Sequence, residues 1–150
     1  MQRIVRAKIK DAMALTHLAI RSEAYWGYDD AFMEKFKAIY HVSEDFIENH
    51  PTYMMMEGEK IVGFYGILLD EREISLEYFF IEPQYIGQGY GKIMWEHLIG
   101  ECEMLGIKAF TLVTSPQAKD FYIKRGAKLC GEVDSLVIEG RKVPKLIYWN

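Results

Sequence analysis

The sequence predicts an α/β fold: a mixed, mostly antiparallel central sheet with flanking helices. Two observations carry that prediction. Residues 52–81 hold three apolar, strand-length runs separated by Gly58-Glu59-Lys60 and Asp70-Glu71-Arg72. Connections this short permit only antiparallel pairing, so the runs read as a meander. Residues 73–113 then read as strand, helix, strand, a βαβ unit whose two strands pair in parallel. At 150 residues, with no repeat, linker or low-complexity stretch, the chain reads as one domain over 1–150.

Each element has a local reason. Arg3–Lys10 alternates basic and apolar residues and reads as the first strand. Asp11 follows as N-cap of a helix with Met13, Leu15, Leu18 and Ile20 apolar, fraying near Gly27. Asp29 and Asp30 start a second helix carrying Phe32, Met33, Phe36 and Ile39. Ser43 caps a short helical turn that Pro51 closes. Thr52–Glu57, Ile61–Leu69 and Glu73–Ile81 are the meander strands. Met54–Met56 read as adaptable core filler rather than metal ligands. Gly89–Leu105 is a long amphipathic helix ended near Gly106, and Lys108–Val113 is an apolar strand. Ser115-Pro116 restarts a helix, Ser as N-cap and Pro at the first position, running to about Lys124. Ala127–Gly131 begins a strand that Val133–Ile138 continues after a bend, and Pro144–Trp149 is the last.

The stretch richest in chemistry lies between Ile81 and Ile93. An apolar run stops at Pro83, and glycines follow at 87, 89 and 91 before a helix begins. The first turn of a helix offers unpaired N–H groups and about half a positive charge from its dipole, which together make an anion site. Glycine lets a phosphate reach the backbone and accepts φ > 0. The turn is not a Walker A loop, because Gly91-Lys92 is followed by Ile93. It is not Gly-x-Gly-x-x-Gly either: the sixth residue is Lys92 counted from Gly87 and Met94 counted from Gly89. The glycines alone leave two readings open, a diphosphate cradle and a flexible strand–helix connector.

Composition narrows the partners. A formal net charge of −4 argues against a nucleic-acid surface. Cys102 and Cys130 lack metal-ligand spacing and sit among apolar residues. They read as free, buried thiols in a reducing cytosol, so a cytoplasmic location is expected. His17, His41 and His50 are scattered and read as surface or packing residues, so no metal is expected. The N-terminus lacks an apolar core of signal-peptide length. The longest apolar run, Ile61–Leu69, is too short to span a bilayer.

The stretch Ile81-Glu82-Pro83-Gln84-Tyr85-Ile86-Gly87-Gln88-Gly89-Tyr90-Gly91 resembles the acetyl-CoA-binding motif of the GNAT-type N-acetyltransferases. The segment Ser115–Ala127 is similar to that family's later motif, with Ala118 three on from Ser115, Tyr122 seven on and Gly126 eleven on. The order of elements fits the family over nearly the whole length. Three positions depart from it. Ile86 stands where Arg or Gln is usual, Ser115 where Asn is usual, and Ala127 where Phe is common. Ile86 has no side-chain donor, so the backbone must hold the phosphates here.

The resemblance implies acetyl-CoA as cofactor and a GNAT-like sheet whose parallel pair is splayed. Strand-edge groups at Phe80 and Ile81 would bond the pantetheine arm as an added strand does. Amides of Gly87, Gln88, Gly89, Tyr90 and Gly91 would cradle the diphosphate. Lys92 is either an added counter-charge or a solvated side chain. Ser115 reaches less far than Asn toward the pantetheine arm. Tyr122 matches the family's general acid, placed to protonate the departing thiolate; the other reading is an aromatic core contact.

Removal of the amine's proton needs a base, and Glu77 is the only carboxylate well inside strand 73–81. Strict alternation puts Ser75, Glu77, Phe79 and Ile81 on one face and Ile74, Leu76, Tyr78 and Phe80 on the other. Both faces are largely apolar, so a partly buried Glu77 is expected, and burial is what brings a carboxylate toward neutrality. An ordinary ion pair or a solvent-facing Glu is the alternative. The acceptor side falls to residues 22–40. Tyr25, Trp26 and Tyr28, beside Asp29 and Asp30, form an aromatic and acidic cluster suited to a cationic amine. Packing of Tyr25 and Trp26 against the sheet competes with that role.

Two functions fit. One is an enzyme moving acetyl from acetyl-CoA to a primary amine of a small molecule or peptide, by direct attack in a ternary complex. The other is a non-catalytic domain on the same fold that binds or senses acyl-CoA, or serves interactions. The sequence leaves the acceptor, the acyl length and a homodimer open.

Overall fold

Short turns make the sheet's first half. In the computed structural model, which describes residues 2–150, β2 (Thr52–Glu57), β3 (Lys60–Leu68) and β4 (Ser75–Ile81) pair antiparallel in succession. β1 (Gln2–Arg6) returns to the outer edge of β2. It stops earlier than the alternation of residues 3–10 suggests. A 3-10 turn at Ile9–Asp11 follows, in which the Asp11 carboxylate accepts from the Lys8 N–H at 2.9 Å. Asp11 thus holds the strand-to-helix turn rather than capping α1 (Ala12–Ala24) with its side chain.

Beyond β4 the chain crosses through α4 (Tyr90–Met104) to β5 (Ala109–Val113), the one parallel neighbour. β7 (Lys142–Trp149) and β6 (Lys128–Asp134) complete the order β1-β2-β3-β4-β5-β7-β6. β6 continues to Asp134, with a register shift between Leu129 and Gly131. Residues 135–138 are not strand; they form a turn in which Ser135 Oγ accepts from the N–H groups of Val137 and Ile138. α2 (Asp30–Ile39) and α3 (Glu44–Asn49) begin where the sequence places them. Asp29 accepts from Phe32 N at 2.8 Å and Ser43 from Phe46 N at 3.0 Å. α5 (Lys119–Lys124) starts later than Ser115-Pro116 suggests, because Ser115–Ala118 close a turn through Ala118 N–H donating to the Ser115 carbonyl.

The sheet carries a core on each face. Met94, Trp95, Leu98 and Cys102 of α4 pack with Met55, Tyr65, Ile67 and Leu76. Leu15, Leu18 and Ala19 of α1 and Ile47 of α3 pack with Met54, Met56, Phe64 and Tyr78. Each fully buried side chain of this size contributes about 1.5–3 kcal/mol. Cys130 departs from expectation: it is exposed on the edge strand β6, while Cys102 is buried. Gly66 lets β3 pass under α3. A Cβ there would lie 2.8 Å from the Phe46 ring and 3.1 Å from that of Tyr78. These rings already meet edge to face at 5.0 Å, so neither can give way freely. Gly66→Ala is expected to cost about 1–3 kcal/mol, read as a lowered midpoint in urea.

One irregularity matters for the site. Gly66 pairs with Tyr78 but Ile67 pairs with Leu76, so Glu77 is an extra residue, a β-bulge. The bulge inverts the alternation. Leu76 shares the α4 face with Phe79, while Tyr78 and Phe80 join the other core. Strict period-2 reading therefore misassigns residues 74–76, and the burial expected for Glu77 fails: it is exposed.

Candidate active site

β4 and β5 barely touch. They pair only at Ser75 with Thr111, where the Thr111 N–H donates to the Ile74 carbonyl at 3.0 Å. β5 is held away by β7, which it pairs with along its whole length from Ala109 to Val113. The splay leaves the β5-facing edge of residues 77–81 without a strand partner and opens a cleft of about 1030 Å³. Phe80, Ile81, Ser115 and Tyr122 line it, as does Glu77.

The glycine turn lines the cleft. Gly87 and Gly89 have φ of +84° and +86°, and nothing lies within 4 Å of the place a Cβ would take at either. Gly89 is the N-cap of α4, so the free N–H groups of that helix start here. Gly91 is different: a Cβ there would meet the Phe121 ring at 3.0 Å, so its smallness seats α5 against α4. Ile86, Gly87, Gly89, Gly91 and Lys92 line the cleft. The side chains of Gln88 and Tyr90 are engaged elsewhere, donating to the Gln84 carbonyl at 2.9 Å and to Glu57 at 3.2 Å.

The turn is anchored from behind. Glu82, only 7 % exposed, accepts two hydrogen bonds from the Arg21 guanidinium of α1, at 2.6 and 2.8 Å. The pair ties α1 to the first residue of the turn. Arg21 is half exposed and can rehydrate, so Glu82→Ala is expected to cost about 1–2 kcal/mol rather than the larger loss of a fully buried pair. Thermal denaturation checks this.

Tyr122 sits where the parts meet. Its ring is 7 % exposed and packs edge-on against Phe79 of β4 at 5.8 Å and Trp95 of α4 at 5.9 Å. Its hydroxyl makes no hydrogen bond to a described residue. Burial, and then the charge of Glu23, hold its pKa above the ordinary phenol value, so it keeps its proton. Arg125, one turn on, lies 5.0 Å above the Phe121 ring, and its buried Nε has no hydrogen-bond partner.

Aromatic rings line the cleft as well. Tyr28, Phe32, Phe36 and Tyr40 recur every four residues, which places them on one helical face. Their rings stack in sequence at 3.9, 6.3 and 4.6 Å. Tyr28 also donates to Gln117 across the cleft at 3.1 Å. Trp26 lines the cleft but Tyr25 does not; they meet edge to face at 5.2 Å and are 39 % and 52 % exposed. Neither packs into the core. Glu23 and Arg141 also face the cleft, and the sequence singled out neither. Burial raises the Glu23 carboxyl to about 7, against a smaller opposing pull from Arg141. Among the described residues no cluster of His, Cys, Asp and Glu forms a metal site. No helix among them is long and apolar enough to cross a membrane.

A family model described as "Acetyltransferase (GNAT) domain" matches residues 7–134. The chain belongs to the GNAT acetyltransferase family. Solved structures agree on the fold of this GNAT chain. PaiA N-acetyltransferase from Thermoplasma acidophilum, in complex with coenzyme A, superposes with a TM-score of 0.84 at 16 % identity, covering 100 % of this chain and 99 % of that one. A GCN5-related N-acetyltransferase from Rhodopseudomonas palustris gives 0.81 at 16 % identity, covering 100 % and 96 %. A GNAT acetyltransferase from Streptococcus pneumoniae gives 0.69 at 21 % identity, covering both chains fully. No curated protein matches the sequence.

A GNAT acetyltransferase takes acetyl-CoA as its cofactor, and the residues of this chain fit that group. The space over Gly87 and Gly89 admits a phosphate to the backbone. The unpaired edge of β4 offers amide and carbonyl groups to a pantetheine arm. Ile86 at the usual Arg or Gln position subtracts a side-chain donor, and nothing else in the turn is blocked.

Proposed function

We propose that this GNAT acetyltransferase moves the acetyl group of acetyl-CoA to a primary amine, by direct attack with both substrates bound. The observation that carries this is the continuity of the cleft. The same cleft is lined by bare backbone suited to a phosphorylated, amide-bearing carrier, by stacked rings and carboxylates, and by Tyr122. Bound acetyl-CoA supplies an acyl group activated as a thioester.

The chain's own residues do the rest. Amides at 87–91 hold the diphosphate, with Lys92 as added positive charge. The edge at Phe80 and Ile81 orients the pantetheine arm, and Ser115 lines its path. Tyr122 donates its phenolic proton to the departing sulfur. Trp26, Tyr28 and the ladder of α2 favour an amine carried on an apolar or cationic body, free or on a peptide. Carboxylates at Glu77 and Glu23 draw the cationic amine in, and one of them takes its proton.

Thiol release from acetyl-CoA over a panel of primary amines tests the reading. Release with at least one amine is expected. Tight acetyl-CoA binding with no release on any amine contradicts it and favours a non-catalytic acyl-CoA-binding domain.

A further inference from the structure

We infer that Glu23, rather than Glu77, is the carboxylate that takes the proton from the attacking amine. The inference rests on the amine-acetylation reading above and makes it specific. Position comes first. Glu23 lies in the last turn of α1 and lines the cleft. Its charge acts on Tyr122 from α5 and on Tyr40 just past α2. Glu77 acts on Tyr40 but is not among the influences on Tyr122. Glu23 is therefore the cleft carboxylate whose charge reaches Tyr122, the phenol assigned above to the leaving sulfur.

Availability comes second. The Glu23 carboxylate makes no hydrogen bond or ion pair with a described residue. The cation that faces it, Arg141 from the β6–β7 connection, acts only through space. Arg21, two residues back on α1, is committed to Glu82. Glu77, by contrast, accepts from the Ser75 hydroxyl at 3.4 Å and is exposed on its bulge. A half-buried carboxylate in the last turn of a helix also meets the negative end of the dipole. α1 thus carries an unpartnered acid where folding alone gives no reason for one. Burial tunes that acid to about 7, so near neutrality it is a base half the time.

The transfer balances without another reactant. The bound ammonium gives one proton to Glu23, which passes it to solvent; the neutral nitrogen then attacks the thioester carbon, the C–N bond forms and the nitrogen's next proton goes to Glu23. The C–S bond breaks, and the thiolate takes the phenolic proton of Tyr122. The proton on Glu23 then returns to the Tyr122 phenolate, and both groups end as they began.

The test uses the full chain, acetyl-CoA and 2-phenylethylamine, an aromatic primary amine suited to the ringed wall. The kcat/KM of the native chain is expected to rise with pH through about 7. Glu23→Gln is expected to lower it about 10²-fold and to remove that rise, while Glu77→Gln keeps the rise. Acetyl-CoA affinity by calorimetry stays unchanged in Glu23→Gln.

A second readout needs no acceptor. With a folded value near 7 above an ordinary 4.5, the folded chain binds more protons between those values than the unfolded one. Native stability therefore falls as pH rises through that window. Glu23→Gln should lack this component of the fall and melt about 7–14 °C above the native chain at pH 8. If Glu23→Gln keeps the pH–rate rise, or its melting shows no such gain, the inference is overturned and the acetylation reading stands. If neither 2-phenylethylamine nor any other panel amine releases thiol, the acetylation reading falls and this inference with it.

Discussion

Gly89→Glu is expected to weaken acetyl-CoA binding about 10³-fold, or about 4 kcal/mol, while leaving the chain folded. Gly89 holds φ +86° at the N-cap of α4, with open space where a side chain would go. That space is where the phosphates must come. A glutamate there fills it and sets a carboxylate against a diphosphate at the same helix end. The fold is expected to survive. The left-handed conformation costs a non-glycine residue about 1–2 kcal/mol, partly offset because a negative charge suits a helix N-terminus. Gly89→Ala separates the two effects, since it brings strain without charge and is expected to lose about tenfold. Calorimetry on both variants checks this, and an unchanged affinity in Gly89→Glu contradicts it.

Tyr122→Phe is expected to lower kcat about 10³-fold with KM for acetyl-CoA within a few-fold of the native value. The substitution removes one oxygen from a ring packed against Phe79, Trp95 and Phe121. Because the hydroxyl bonds to no described residue, its loss leaves no orphaned partner, and stability should be unchanged or slightly higher. The raised pKa of this phenol matters here: it keeps its proton at every working pH until a thiolate forms beside it. A merely structural tyrosine would show the reverse pattern, a changed melting temperature with kcat preserved.

Much of this was legible in the sequence because it depends on local chemistry. Asp29 and Ser43 cap the helices they precede, the two short connections force the meander, and the glycines at 87 and 89 take the positive φ that glycine accepts. What escaped depends on register and on contacts distant in sequence. One extra residue at Glu77 reversed the faces of β4, and no periodicity announces a bulge. Ser115 lost its cap to a turn, and the edge placement of β6 left Cys130 exposed. Glu23, Arg125 and Arg141 reach the cleft from elements far apart in the chain. Glu23 alone gave a signal, an acid at the wrong end of its helix. The ladder from Tyr28 to Tyr40 was also readable, as four aromatic residues at a spacing of four.

The claim on which the rest depends is that main-chain groups of the glycine turn and of the splayed β4 edge grip coenzyme A. Titrating the uniformly ¹⁵N-labelled chain with coenzyme A and following its amide resonances tests it most directly. The account predicts the largest shifts at the amides of Gly87, Gln88, Gly89, Tyr90 and Gly91, with a second group at Phe80 and Ile81. Saturable binding whose shifts fall elsewhere, with those amides unmoved, would contradict it.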